Sequence, residues 1–486
     1  MPRHCSARRE EIHDLLSPPD GTSGEALPDV NYPHATRRHW IMLAGRRASQ
    51  GGEEFSMGNR VEIAFGHRQL EVSLPEGTQP TIIRKISLPK LVNQQEAVRQ
   101  VLDRPISAKP FGALAAGRKS ACILICDITR PVPNKLFLRP MIEDLIKGGV
   151  PASNILVLVA TGLHRPSEGV ELEELVGDPW VLKTVRVENH FARNDADHVD
   201  LGRTPRGTPV KIDRRFLDAD LRVVTGLVEP HFMAGWSGGR KVVAPGVAHQ
   251  ETIRTFHAAR FMEDPLASQC NLVGNPLHEE QLEIVRLIGE IYALNTVLDE
   301  ERDLVYVNFG EVTASHLAAV EFITAATAIP VARKFKTVLT SSAGYPLDKT
   351  YYQTVKGMVT PMDILEPGGT LIIASECSEG FGSAEFRAAQ VKLMELGPER
   401  FLATLKAKSF AEVDEWQTEM QMKPMRLGNI KLYTTGLNGE ERRITGVEMI
   451  ESVEAAVRQS IEEHEDPAVA VIPEGPYVIP VFASQG

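Results

Sequence analysis

From Ser120 onward, the sequence alternates short apolar runs with longer segments of helical period. Cys122–Cys126 and Ile155–Ala160 are apolar runs, and Lys135–Ile146 between them has the spacing of a helix. Strands that alternate with helices pair in parallel, because each crossover helix returns the chain to the same end of the sheet. The sequence therefore predicts an α/β protein with largely parallel sheets, whose functional residues follow the carboxyl ends of strands.

The same pattern restarts after Ile329-Pro330, which predicts two α/β domains, residues 57–330 and 331–486, with an active-site cleft between them. Residues 1–56 are rich in Arg, His, Pro and Gly and show no sustained period. We expect them to form a disordered or non-native extension. Met57 is accordingly a candidate for the true start of translation.

Two local predictions concern shorter segments. Glu251–Arg260 is expected to form one helix that carries His257, and Pro367-Gly368-Gly369 is expected to form a turn before the strand Thr370–Ala374.

Composition excludes several classes of protein. The formal charge of −11 is spread along the chain without a basic block, so nucleic acid is not an expected partner. No apolar run reaches the ~18 residues typical of a membrane span, and the N-terminus lacks the apolar stretch of a secretory signal, so we expect a cytoplasmic protein without a membrane partner. The five cysteines are scattered and form no paired C-x-x-C site, and Cys122 and Cys126 are expected to be buried strand residues.

Three predicted strand ends carry unusual residues. The first reads Cys126-Asp127-Ile128-Thr129-Arg130-Pro131, where Arg130 either grips a carboxylate or is a surface residue beside an Asp helix cap. After the second strand end, Gly162 precedes His164, but a single loop histidine is weak evidence for a function.

The densest segment is Gly226–Pro245, in which Pro230 and four glycines surround His231 and Lys241. This much backbone freedom is typical of a loop that a ligand approaches closely. The segment does not match the phosphate-binding pattern G-x-x-x-x-G-K-[ST], and no G-x-G-x-x-G follows a predicted strand. Nucleoside triphosphatases and enzymes with a diffusible NAD are therefore disfavoured.

His257 either ligates a metal or packs in the core, and His249 in the same stretch competes with it. The spacing H-E-x-x-H is absent, so any metal must take most of its ligands from elsewhere.

Several motifs occur together and in order: DITRP, ATGLHRP, EPHFMAGWSGGRK, PGVAHQETI and GYPLDKTYYQTVKG. From about Val61 to its end, the chain resembles the lactate racemase family in these motifs. Members of that family are 2-hydroxyacid racemases or epimerases that use a nickel-pincer nucleotide. This cofactor is a pyridinium mononucleotide whose thioamide and thiocarboxylate arms, together with a ring carbon, hold nickel.

The resemblance implies roles for particular residues in cofactor binding. Lys241 would be joined covalently to the cofactor, and His257 would ligate the nickel. Asp127 would have a supporting role near the cofactor, and Trp236 would contact cofactor or substrate. The domain at residues 57–330 would thus bind the cofactor, and accessory biosynthetic enzymes would be partners in its loading.

The resemblance likewise implies how substrate is held and inverted at C2. His164 and His231 would be the acid/base pair during proton-coupled hydride transfer. The substrate carboxylate would be held by Arg130, Gln353 and Lys356, with Tyr352 beside them.

Two other functions stay open from the residues alone. One is a 2-hydroxyacid dehydrogenase, which the missing dinucleotide motif disfavours. The other is a non-enzymatic organic-acid binding protein, which would not need two histidines or a lysine in a glycine-rich loop. The motifs leave the 2-hydroxy acid itself open, and they leave the oligomeric state open as well.

Overall fold

The structure is a computed structural model that describes residues 59–299 and 301–483. The extension expected at residues 1–56 and the candidate start at Met57 lie outside the described residues. Within them, the strands in chain order are β1 Arg60–Phe65, β2 Arg68–Ser73, β3 Gln79–Ile82, β4 Ala121–Cys126, β5 Ile155–Ala160, β6 Arg186–Asn189, β7 His198–Arg203, β8 Pro209–Asp213, β9 Leu221–Leu227, β10 Pro230–His231, β11 Gly235–Trp236, β12 Tyr292–Leu298, β13 Leu304–Glu311, β14 Ala328–Val331, β15 Phe335–Ser341, β16 Leu365–Ala374, β17 Asn429–Tyr433, β18 Glu448–Ile450, β19 Ala468–Ile472 and β20 Ile479–Phe482.

The helices are named by their bounds. In the described part of the chain they are Gln94–Asp103, Phe111–Ala115, Asn134–Lys147, Val170–Val176, Pro179–Thr184, Arg214–Leu217, Arg240–Val243, Gln250–Phe256, Ala259–Met262, Pro276–Ile288, Val312–Thr327, Tyr351–Val359, Ala384–Leu396, Pro398–Lys406, Glu415–Leu427, Gly439–Ile444 and Val453–His464. None of these helices is long and apolar enough to cross a membrane.

The first large sheet has the strand order β13-β12-β9-β4-β5-β6. Its strands run parallel from β12 to β6, and the edge strand β13 is antiparallel to β12. The central strands β4 and β5 are buried over nearly their full length, as expected for strands covered by helices on both faces. This confirms the predicted α/β class.

The second large sheet has the order β18-β17-β16-β15-β19-β3, and all neighbouring pairs are parallel. Strand β16 includes the segment that was expected to be a turn before the strand. Phe335 of β15 pairs with Leu365 and Thr337 pairs with Thr370, so the extra residues of β16 form an irregularity inside one strand. The expected turn is thus present as this irregularity, with Gly368 at a φ of +79°, but it lies inside β16; regular pairing begins at Thr370, the predicted start of the strand.

The spatial division of the chain differs from the predicted linear one. Strand β3 pairs with β19, and the hairpin of β1 and β2 packs its apolar side chains on the second sheet. Near the other boundary, β14 pairs in parallel with β20. We call residues 83–327 the first lobe, and residues 59–82 together with 328–483 the second lobe. The expected first domain thus loses its N-terminal hairpin and β3 to the second lobe.

The expected helix Glu251–Arg260 is broken at His257. One helix ends at Phe256 with His257 as its C-cap residue, and a short helix begins at Ala259 after Ala258 in an extended conformation. The backbone N–H of His257 donates to the carbonyl of Ile253 at 3.2 Å. The break leaves the imidazole at the end of a helix.

Candidate active site

A cavity of about 220 Å³, the main cavity, lies between strand ends of the first lobe and two helices of the second. Nine of the residues predicted from the sequence line it: Asp127, Arg130, His164, His231, Lys241, His257, Tyr352, Gln353 and Lys356. The fold thus brings together side chains that are separated by more than 200 positions in the sequence. The cleft expected between two α/β units is present.

Asp127 and His164 form a hydrogen-bonded pair. They follow β4 and β5, which are parallel neighbours, so their carboxyl ends lie side by side. The Oδ2 atom of Asp127 is 2.6 Å from Nδ1 of His164, and its Oδ1 accepts from the Thr129 N–H and hydroxyl. Burial raises the pKa of Asp127, but the hydrogen bonds from His164 and Thr129 outweigh it, and the pKa is lowered.

The ionised Asp127 therefore keeps a hydrogen on Nδ1 of His164. In the neutral ring, Nε2 then has the lone pair and is the nitrogen that can accept a proton. The His164 side chain is 60% exposed, which leaves it open to a ligand. The structure thus gives Asp127 a direct partner in His164, whereas the sequence had suggested a supporting role near the cofactor.

His231 has the opposite hydrogen-bonding arrangement. It lies in the hairpin of β10 and β11, and its Nδ1 accepts the backbone N–H groups of Met233 at 3.4 Å and Ala234 at 3.2 Å. Burial lowers the pKa of His231 well below its usual value, and the charges of Lys241 and Arg130 lower it further. The ring is therefore neutral with its hydrogen on Nε2.

Lys241 lies in the short helix Arg240–Val243, and this helix directly follows Gly238 and Gly239. A side chain at Gly239, whose φ is +48°, would place its Cβ 2.8 Å from the His316 side chain, so the tight approach needs glycine. Burial lowers the pKa of Lys241 to about 7, and the charges of Arg130 and Arg240 contribute. A large share of the amine is thus neutral, and therefore nucleophilic, at neutral pH.

The imidazole of His257 is oriented by its own helix. Its Nδ1 donates to the Ile253 carbonyl at 2.8 Å, which leaves Nε2 as the nitrogen with the lone pair. Burial lowers the pKa of His257 to about 4, although the bond to Ile253 acts in the other direction. A neutral imidazole whose other nitrogen is fixed by a carbonyl is the usual form of a metal-ligating histidine.

Cationic side chains from both lobes converge on one end of the main cavity. Arg130 Nε lies 3.5 Å from Glu229 Oε1, and burial lowers the pKa of Arg130 less than Glu229 and Asp127 raise it. Lys356 comes from the helix Tyr351–Val359, and burial and the Arg130 charge lower its pKa to about 7. Both groups suit an anionic ligand.

Gln353 lies on the same helix as Lys356. Its buried Oε1 has no hydrogen-bond partner within residues 59–299 and 301–483. A buried amide that lacks a protein partner is costly unless a ligand or water satisfies it. Its position beside Tyr352 and Lys356 in the cavity wall indicates a ligand contact.

The structure does not bring Trp236 to the cavity. Its side chain is 1% exposed and packs in a hydrophobic cluster with Val228, Val297 and Val320. A tryptophan in a glycine-rich motif was expected to contact a ligand, but the β10–β11 hairpin turns this ring into the core. The prediction that Trp236 contacts cofactor or substrate was therefore wrong.

Two residues that the sequence analysis missed, Asp414 and Trp416, line the cavity instead. The Trp416 ring lies 4.8 Å from the His257 ring, between centroids. Asp414 precedes the helix Glu415–Leu427 with a φ of +61° and accepts a hydrogen bond from the Ser383 hydroxyl at 2.6 Å. The polar run Asp-Glu-Trp-Gln at residues 414–417 was the available signal.

Comparison with known proteins identifies the family of this site. The model of the lactate racemase N-terminal domain matches residues 65–269, and that of the C-terminal domain matches residues 331–480. The lactate racemase of Thermoanaerobacterium thermosaccharolyticum is 34% identical over 328 residues, which are 67% of this chain and 76% of the relative. That of Lactiplantibacillus plantarum is 33% identical over 295 residues, 61% and 69% of the two chains.

Solved structures agree with the sequence comparison. The lactate racemase apoprotein from Thermoanaerobacterium thermosaccharolyticum superposes with a TM-score of 0.80 at 28% identity, over 87% of this chain and 99% of that one. A Thermotoga maritima protein shares the fold, with a TM-score of 0.59 at 17% identity over 82% and 100% of the two chains. With both halves of the chain matched and the motif residues gathered around one cavity, this protein belongs to the lactate racemase family.

Proposed function

We propose that this protein is a racemase or epimerase that inverts C2 of a lactate-like 2-hydroxy acid with a nickel-pincer nucleotide. The observation that carries the proposal is the pair of imidazoles in the main cavity, His164 and His231, held in opposite hydrogen-bonding states. Inversion needs a proton acceptor for one enantiomer and a donor for the other. One histidine alone, beside the residues that bind the carboxylate, would not supply both the proton acceptor and the proton donor.

The residues present fit the proposed cofactor. Lys241 offers a partly neutral amine for a covalent bond, and His257 offers an Nε2 lone pair to a metal in the same cavity. Two sulfurs and a carbon from the cofactor would add soft donors of the kind that suit nickel. When bound, the pyridinium nucleotide would supply a reversible hydride acceptor for C2.

The carboxylate of the substrate would lie against Arg130 and Lys356. These two residues come from different lobes, so a substrate that binds both also holds the cavity closed. Gln353 would also contact the substrate, through the Oε1 atom that lacks a partner among the described residues. Tyr352 lines the same wall, and burial raises the pKa of its hydroxyl, so it stays protonated.

Each histidine acts at Nε2. His164 would take the hydroxyl proton of one enantiomer there, while Asp127 stabilises the imidazolium that forms. His231 would donate the Nε2 proton to the substrate oxygen on its own side from its imidazolium form, and so return to a neutral ring. Both the imidazolium and the neutral ring that accepts a proton at Nε2 carry hydrogen on Nδ1. That hydrogen excludes the two bonds that Nδ1 accepts from the Met233 and Ala234 N–H groups, so the His231 ring or the hairpin backbone must shift during the reaction.

The test is to express the chain together with cofactor biosynthetic enzymes and to follow racemisation of 2-hydroxy acids by chiral chromatography. We expect a mass adduct on the intact protein, bound nickel and interconversion of enantiomers. His257→Ala should keep the adduct and lose nickel, because one of four donors is removed while the cofactor arms remain. An unmodified chain with full activity would contradict the proposal, and net accumulation of a 2-keto acid would indicate a dehydrogenase.

A further inference from the structure

A second, smaller cavity of about 40 Å³, the side cavity, adjoins the main cavity. Four residues line both: Arg130, His231, Phe232 and Lys356. The carboxylate clamp and one of the two histidines thus form the boundary between the cavities. A substrate held at that boundary has the main cavity on one side and the side cavity on the other.

The main cavity contains the groups that would hold the cofactor. Lys241 and His257 line it and do not line the side cavity. A pyridinium mononucleotide attached there would take up most of a cavity of about 220 Å³. Little room would remain beside it for a bulky substituent of the substrate.

Stereochemistry gives the substituent on C2 two directions. With the carboxylate fixed and hydrogen facing the cofactor, the hydroxyl of one enantiomer points to His164 and that of the other points to His231. The C3 substituent takes the direction that the hydroxyl leaves free. It therefore faces His231, which lines the side cavity, whenever the hydroxyl faces His164.

The two directions differ in the space they offer. His164 is 60% exposed, so the direction toward it is open. The direction toward His231 ends in the side cavity, where Phe232, Leu347 and Ile479 form an apolar wall. One water molecule takes up about 10–15 Å³ of cavity volume. The side cavity, at about 40 Å³, therefore has room for about three water-sized groups.

The polar groups of the side cavity are largely committed to the protein. Gln269 Nε2 donates to the Thr360 carbonyl at 2.7 Å, and the Thr360 hydroxyl donates to the Lys356 carbonyl at 2.9 Å. The carboxylate of Glu229 is paired with Arg130. Tyr477 also lines the space, and burial raises the pKa of its hydroxyl, so it stays uncharged. Together with the apolar wall, these groups leave room for a small aliphatic substituent.

We infer that the side cavity is the subsite for the C3 substituent in one of the two enantiomeric poses, and that it sets the size limit for substrates. This inference rests on the proposed function. It assigns small aliphatic 2-hydroxy acids, with a substituent of about three heavy atoms or fewer, as the substrate class. Both poses must be occupied in one inversion, so the smaller subsite limits both enantiomers.

The test compares Leu347→Ala with Leu163→Ala in the cofactor-loaded enzyme. Both leucines are partly buried, but Leu347 lines the side cavity and Leu163 lines the main cavity. The substrates are lactate, 2-hydroxybutyrate, 2-hydroxyisovalerate and mandelate. We expect the parent enzyme to discriminate against mandelate by at least about 100-fold in kcat/KM, because one methylene in such a pocket is worth about 10–200-fold.

Leu347→Ala should reduce the discrimination against the larger acids by about 10-fold or more, whereas Leu163→Ala should leave it unchanged. The equilibrium constant between enantiomers is one, so kcat/KM must stay equal for the two. Their KM values need not be equal, and Leu347→Ala should change the KM of one enantiomer of a larger acid more than that of the other. A general loss of structure would not produce this asymmetry.

An unchanged substrate preference in Leu347→Ala, or an equal change in both variants, would overturn the inference. Should Leu347→Ala fail to fold, Ile479→Val removes a single methyl group from the same wall and should shift preference in the same direction. Calorimetric binding of the four acids to the unloaded protein separates this inference from the proposed function. A size preference in binding that Leu347→Ala relaxes, without racemisation by the loaded parent, would support the subsite and contradict the racemase.

Discussion

The two walls of the main cavity differ in how their side chains are held. On the first-lobe wall, His164 bonds Asp127, His231 accepts backbone N–H groups and His257 donates to its own helix. On the second-lobe wall, Gln353 keeps a buried oxygen without a partner among the described residues. The histidines assigned to proton transfer and metal binding are thus already oriented by hydrogen bonds within the protein. Gln353, which is assigned to substrate binding, has an oxygen that only a ligand or water would satisfy. Substitutions on the two walls should therefore differ in kind.

The largest effect is expected for Lys241→Ala on the first-lobe wall. The variant should carry no covalent adduct and show no measurable racemisation, because the amine that forms the bond is gone. Intact mass spectrometry after co-expression with the biosynthetic enzymes measures the adduct. Lys349→Ala, which removes a partly exposed lysine paired with Glu379, is the control and should keep it. An adduct of unchanged mass on Lys241→Ala would place the attachment at another residue.

The acid/base pair should give the next largest effect. His164→Ala and His231→Ala should each lower kcat by about 10²–10⁴-fold, the usual contribution of general acid/base groups. Adduct and nickel should be retained, because neither imidazole is assigned to cofactor or metal. Steady-state kinetics with metal analysis on the same sample checks both points. A parental kcat in either variant would remove that histidine from the mechanism.

A substitution on the second-lobe wall should act on binding. Lys356→Ala should raise KM by about 10–100-fold, the range expected for one hydrogen bond to a charged group, with adduct and nickel unchanged. Calorimetric binding of a 2-hydroxy acid to the unloaded variant gives a second measure of the same loss. If kcat fell while KM stayed at the parental value, the contrast between the walls would not hold for this residue.

The smallest expected effect is on thermal stability, through a buried carboxyl group near the contact between the two lobes. Glu419 lies on the helix Glu415–Leu427, which also carries Trp416 and is tied to the first lobe by the ion pair of Arg426 with Glu263. Burial raises the pKa of Glu419 to about 8, and Glu263 contributes to the rise. The folded state therefore binds a proton more tightly than the unfolded state, so stability is lost as pH rises from about 4.5 toward 8.

Glu419→Gln stays neutral at every pH and should remove this dependence. We expect its Tm to exceed that of the parent by about 1–3 °C at pH 8.5 and to match it at pH 4.5. Differential scanning calorimetry at the two pH values measures the difference. An equal shift at both would assign the effect to packing rather than to ionisation.

Local sequence motifs predicted most of the residues that line the main cavity, but they did not predict how the surrounding elements pack. Strand ends and glycine-rich loops are short-range patterns, and the residues taken from them, such as His164 and Lys241, reach the cavity. Trp236 failed because the direction of a side chain in a hairpin depends on which face meets the core. Asp414 was missed because its place in the cavity wall comes from tertiary packing and not from a local motif.

The fold shows the same limit. The alternation of strands and helices predicted the α/β class, but it did not predict that β3 joins the second sheet. This strand has four residues, all exposed, and no periodicity that would single it out. Its assignment comes from pairing with β19, a contact that no local pattern encodes.

The pairing of β3 with β19 also has a consequence for synthesis on the ribosome. Gln79 pairs with Ala468, so about 390 residues separate a strand from its partner. At translation rates of about 5–20 residues per second, β3 waits roughly 20–80 s before its partner is made. During that time the hairpin of β1 and β2 also lacks the sheet on which it packs. Chaperone demand should therefore concentrate on this early segment, while the first lobe can already fold.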